Sequence, residues 1–125
     1  MAGPFDRYLQ YKVWISRMNH DNEILDMILH QIDLLCFDQL PVKIKGEADY
    51  IRKCVLILAR HITRIKSDIE YFSRKVSMRI RKTQSIDQPL NELLIQRQLK
   101  KRFLSIRKNV KVMEVWIGKI KRSAN

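Results

Sequence analysis

Glycine and proline are scarce in this chain, three of each in 125 residues. Five of the six fall in three places: Gly3-Pro4, Pro41 to Gly46, and Pro89; the sixth is Gly118. So few chain-breakers allow few turns, which favours long helices. Strict apolar–polar alternation is missing over any useful length, which argues against a sheet. Long apolar runs are missing too. The longest, Cys54 to Ala59, is closed off by Lys53 and Arg60 and falls far short of a bilayer span.

Targeting signals are equally thin. Asp6, Arg7 and Lys12 occupy the stretch where a signal peptide needs an apolar core, and six acids in the first forty residues oppose a mitochondrial presequence. Met1-Ala2 carries no myristoylation signal. An intracellular protein is expected, cytoplasmic or nuclear, with import into an organelle by an unrecognised signal left open. Cysteine number fits: Cys36 and Cys54 sit beside apolar positions, where a free thiol behaves as a small hydrophobe. A disulfide between them is geometrically conceivable across a hairpin at Pro41 to Gly46, but a single bridge is unusual in such a compartment.

Catalytic and metal-binding patterns are absent. The chain has no Gly-rich phosphate loop, no nucleophile elbow and no carboxylate pair on a basic face. His20, His30 and His61 show no metal-ligand spacing with one another or with the cysteines. No enzyme activity and no cofactor are expected.

What the chain does have is heptads. Ile51, Val55, Leu58, Ile62, Ile65, Ile69, Phe72 and Val76 follow one another at alternating steps of four and three, as do Leu99, Phe103, Ile106, Val110, Met113, Ile117 and Ile120. Such spacing keeps one apolar seam facing partner helices at shallow crossing angles. The first segment is less regular: Tyr8, Tyr11, Ile15 and Met18 are followed by Leu25, Ile28, Ile32 and Leu35, with Asn22 between the two groups. Asn19 to Asn22 is a candidate turn, though without Gly or Pro a single helix, kinked there at most, is the better reading.

Caps place helix 1 from about Pro4 to Asp38, helix 2 from about Glu47 to Lys82, and helix 3 from about Ile86 to Arg122. Each is about 35 residues, or roughly 50 Å long. The fold expected is all-α: a single domain over residues 1–125 forming an antiparallel up-down-up bundle of three long helices, or four if helix 1 breaks near residues 19–22.

Charge is uneven. Residues 1–40 hold three bases and six acids, a net of −3; residues 41–85 hold twelve and four, a net of +8; residues 86–125 hold ten and three, a net of +7. Lys53, Arg60, Arg74 and Arg81 share one heptad position, and Arg74, Lys75, Arg79, Arg81 and Lys82 crowd the end of helix 2. Helix 3 adds Lys100, Lys101, Arg102, Arg107, Lys108 and Lys111. A net charge of +12 and a pI near 10.1 point to an anionic partner. Nucleic acid held through its phosphates, without sequence readout, fits best. An acidic protein or an anionic membrane surface fits the same charges. Tyr71, Phe72 and Phe103 are the only aromatics near the basic clusters, so base stacking has little sequence support.

At the other end of helix 2, Cys54 to Ala59 is apolar all the way round and is set against Val112, Val115 and Trp116. One three-helix seam cannot cover all of these, so Leu56, Ile57, Val112, Val115 and Trp116 are candidate protein-interface residues, for a partner or for self-association, unless a wider core closed by residues 39–46 takes them in. Trp14 and Trp116 both lie off the seams so drawn, as flank packing or as interface anchors.

Two resemblances accompany this reading. The long heptad helices resemble spectrin-type repeats in architecture. Trp14, then Glu23-Ile24-Leu25, then a basic helix with Arg64-Ile65-Lys66 and Ile69-Glu70, resembles the helical domain of a GINS replication-complex subunit. Asn22 stands where that family has a proline, these residues hold no counterpart of its small β-domain, and its helices are less basic.

Overall fold

The computed structural model describes residues 4–35, 39–82 and 90–124, with side chains over 7–35, 39–78 and 93–123. Three helices pack against one another: α1 (Pro4–Asp33), α2 (Val42–Lys82) and α3 (Leu90–Ala124). They are about 45, 62 and 52 Å long, and no strand occurs among the described residues. The all-α three-helix bundle is as expected, and α1 runs unbroken through Asn19 to Asn22.

Polar links show the topology. Arg52 of α2 pairs with Asp33 near the end of α1 at 2.9 Å, and Arg102 of α3 pairs with Asp68 of α2 at 2.9 Å. The Gln96 amide nitrogen donates to the Gln10 amide oxygen at 2.8 Å, joining the early parts of α3 and α1. Hence α2 is antiparallel to both neighbours, and α1 and α3 are parallel.

Two helix boundaries differ from the sequence expectation. α2 starts at Val42, five residues before Glu47, because Pro41 supplies the stop and the seam already runs through Ile44 and Ala48. The Lys45 amide donates to the Pro41 carbonyl at 3.0 Å, closing the first turn. α1 ends at Asp33 rather than Asp38; the amides of Leu34 and Leu35 donate to the carbonyls of His30 and Ile32 at 3.0 and 3.1 Å. Cys36, Phe37 and Asp38, and the expected start of helix 3 at Ile86, lie outside the described residues. α3 ends at Ala124, two residues beyond the expected Arg122.

The core follows the α2 and α3 heptads closely. Every expected seam residue on α3 is buried, and so is every one on α2 except Phe72, which is half-buried beside a buried Ser73. α1 departs. Its buried positions are Arg7, Tyr11, Trp14, Met18, Asp21, Leu25, Ile28 and Ile32, one uninterrupted heptad in which Tyr8, Ile15 and Asn22 are only half-buried. Trp14 is therefore a core residue. Its ring lies 5.5 Å from Tyr11 and 5.5 Å from Phe103 of α3, nearly parallel to the latter at 24°. Charged Arg7 and Asp21 share Trp14's heptad position, which hides this seam from a reading that follows apolar residues alone.

Candidate nucleic-acid interface

The antiparallel pairing of α2 and α3 leaves a groove between their flanking positions. Its middle is an open cleft of about 510 Å³ lined by His61, Arg64 and Ile65 of α2 and by Gln98, Lys101, Arg102, Ser105, Ile106 and Asn109 of α3. Ile62, Ile65 and Ile106 are held in the core, so the residues beside them on the helical wheel must stand at the groove edge. Arg102 is engaged by Asp68. Arg64 and Lys101 are exposed and make no ion pair among the described residues. Gln98, Ser105, Asn109 and His61 add hydrogen-bonding groups to the same walls.

Toward the start of α2 the groove opens into a second cleft of about 520 Å³, floored by Ile51 and Ile120 and walled by Tyr50 and Trp116. The two rings are 6.0 Å apart and tilted by 35°. Lys43 and Lys119 border the cleft with Glu47. A hydrogen bond with the Cys54 side chain, and behind it the thiolate charge, push the Tyr50 phenol above its ordinary value of 10.0. Cys54 is a free thiol; its conceivable partner, Cys36, lies outside the described residues. Toward the other end of α2, Lys75 sits over the Tyr71 ring at 4.7 Å and over Phe72 at 5.8 Å, with the two rings edge-to-face at 5.3 Å.

The basic residues expected from the sequence are not one surface. Lys53, Arg60 and Arg74 are exposed in a row along α2, and Arg74 also borders a small cleft against α1 with Tyr8, Lys12 and Glu70. Lys101 and Arg102 line the α2–α3 groove, and Lys108, one heptad on from Lys101, is exposed on the same side of α3. Arg107 and Lys111 face the other way, toward α1. Burial pushes the Asp21 carboxyl above its ordinary value of 3.8, and the charges of Arg107, His20 and Lys111 draw it only partly back. Arg107 also lies 5.9 Å from the Phe103 ring. Lys100, one heptad before Arg107, belongs to that same flank and is exposed. Arg79, Arg81 and Lys82 form the last turn of α2, with side chains outside those described. Charge runs alone do not point to His61, Arg64, Gln98, Ser105 and Asn109; their signal is position, one step off an apolar seam.

The apolar residues singled out at the other end stay largely uncovered. Leu56, Ile57 and Val115 are 45, 49 and 55% exposed, whereas Val112 and Trp116 are half-buried against the core. They do not converge. Ile57 falls one heptad after Tyr50, on the α2–α3 side, while Leu56 falls two heptads before Glu70, which faces α1.

Among the described residues, no helix is long and apolar enough to cross a membrane, and no three His, Cys, Asp or Glu side chains converge as a metal site. No family model, curated protein or solved structure matches the chain. The resemblances to spectrin-type repeats and to the GINS helical domain therefore rest on the residues quoted for them.

Proposed function

We propose that this chain is a non-enzymatic basic subunit that docks onto nucleic acid through its phosphates, along the α2–α3 groove. The observation that carries the reading is the central cleft. There Arg64 and Lys101 project from facing helices, neither of them paired to an acid among the described residues, beside Gln98, Ser105 and Asn109. Cations draw the phosphate backbone and release its counterions, and neutral donors position it. The sequence carries no helix-turn-helix, zinc-finger or RNA-recognition signature, which supports binding through the backbone without sequence readout.

The test is fluorescence anisotropy with labelled oligonucleotides over a salt series. Arg64→Glu combined with Lys101→Glu should weaken binding at least tenfold and flatten the salt slope by about two, one for each phosphate no longer neutralised. Unchanged affinity and slope would sink the reading.

A second reading, a protein-interaction scaffold or homo-oligomer, draws on the exposure of Leu56, Ile57 and Val115. Leu56 lies on the α1 side, away from the groove, so a partner there can coexist with bound nucleic acid, whereas a partner covering Ile57 competes with it. Light scattering with Leu56→Ser and Ile57→Ser variants tests self-association: a wild-type chain that is already monomeric removes it.

A further inference from the structure

We infer that the α2–α3 groove takes single-stranded rather than duplex nucleic acid, with Tyr50, Trp116 and Tyr71 as stacking platforms for unpaired bases. The inference rests on the phosphate-docking reading and adds to it the form of the ligand.

One heptad position on α2 carries the case. Tyr50, Ile57, Arg64, Tyr71 and Met78 follow each other at intervals of seven, and all are exposed. Tyr50 and Arg64 line clefts of the α2–α3 groove, so the whole row runs along that side. It is a row of aromatic and aliphatic surfaces with a cation at its centre. Lysines attend both ends: Lys75 over Tyr71, and Lys43 and Lys119 beside Tyr50 and Trp116.

Phosphate attraction alone needs none of these rings. Tyr50 and Tyr71 are 58 and 50% exposed, Tyr71 with Lys75 over one face of its ring, and exposed rings in a basic groove are useful to a ligand that has flat apolar faces to offer. A duplex does not, because its base faces are stacked on one another and only groove edges and phosphates are presented. An unpaired strand presents every base, and alternating cations with aromatic platforms is how sequence-tolerant single-strand sites are built. Tyr50 and Tyr71 lie 21 residues apart on one helix, about 31 Å along its axis. A strand laid between them passes Arg64 about two-thirds of the way from Tyr50 to Tyr71, with Lys101 on the facing wall of the groove.

The experiment compares binding of a labelled oligothymidylate of about 16 nucleotides and a duplex of the same length, at about 50 mM salt. The expected result is at least tenfold tighter binding of the single strand. Tyr50→Ala and Tyr71→Ala should each weaken it about tenfold while leaving the duplex unaffected, and Tyr71→Trp should restore binding. Circular dichroism checks that these surface variants fold. Trp116 emission should be quenched by the oligonucleotide, and Trp116→Phe should abolish the quenching, since Trp14 is buried.

Equal affinity for the two forms, or alanine variants that bind the strand normally, would overturn the inference and leave phosphate docking standing. Failure of both forms to bind, or preference for polyglutamate over both, would overturn the inference and the proposed function together.

Discussion

Trp14 of α1 lies against Phe103 of α3, ring centroids 5.5 Å apart and planes 24° from parallel, and the pair ties the two parallel helices of the bundle together. Both rings are buried. Phe103→Ala removes the stacking partner and leaves a cavity, so it should cost about 3–5 kcal/mol of unfolding free energy. Urea denaturation followed by circular dichroism measures this. A loss below about 1 kcal/mol, far under the usual cost of such a truncation, would mean that Trp14 is not packed as described.

Asp21 is 2% exposed, and its Oδ2 has no hydrogen-bond partner among the described residues. Its pKa is raised in the folded state, so its contribution to stability is fully present below the unfolded value near 3.8 and is lost as pH rises through the higher folded value. At neutral pH the carboxylate is therefore a net burden. Asp21→Leu should stabilise the protein by roughly 1–2 kcal/mol at pH 7. The gain should shrink as pH is lowered through the carboxylate range. Thermal melts from about pH 3 to 7, spanning that range, test both the sign and the trend.

Gly46 and Gly118 lie inside α2 and α3, and a Cβ added at either meets nothing within 4 Å. Helix propensity then decides. Gly46→Ala and Gly118→Ala should each raise stability by about 0.5–1 kcal/mol. A drop in melting temperature for either would reveal a constraint the surroundings do not show.

The Arg102–Asp68 pair bridges α3 and α2 at 2.9 Å with both side chains about two-fifths exposed. An ion pair this open contributes little, so Asp68→Asn should cost under about 1 kcal/mol. The same change frees Arg102 within the basic cleft. Affinity for an oligonucleotide at low salt should rise severalfold, and a fall would show that Asp68 orients Arg102 for binding instead of competing for it.

The α2 and α3 seams are legible in the sequence because each expected position carries an apolar side chain, and the core uses them all apart from Phe72, beside which Ser73 is buried instead. The α1 seam is not legible. Arg7 and Asp21 occupy core positions that an apolar pattern skips, which favours Tyr8 and Ile15 over Trp14. The start of α2 is obscured because Glu47 and Asp49 look like first-turn acids, while Pro41 is the actual punctuation. The basic surplus is legible as a quantity. Its division is not: that Lys101 and Arg102 face α2 while Arg107 and Lys111 face Asp21 depends on how the helices are rotated about their axes, which no single helix encodes.

Arg7 and Asp21 have one more effect. A seven-residue repeat is degenerate, since sliding one helix by a heptad sets apolar against apolar again at nearly every level. On α1 such a slide would carry Asp21 to the level of Trp14 or Ile28, away from Arg107 and Lys111 and into aliphatic or aromatic surroundings. A charge misplaced in that way costs far more than a mismatched methyl group. The two charged residues thus act as a registration mark, giving up some stability so that three interchangeable zippers close in one alignment.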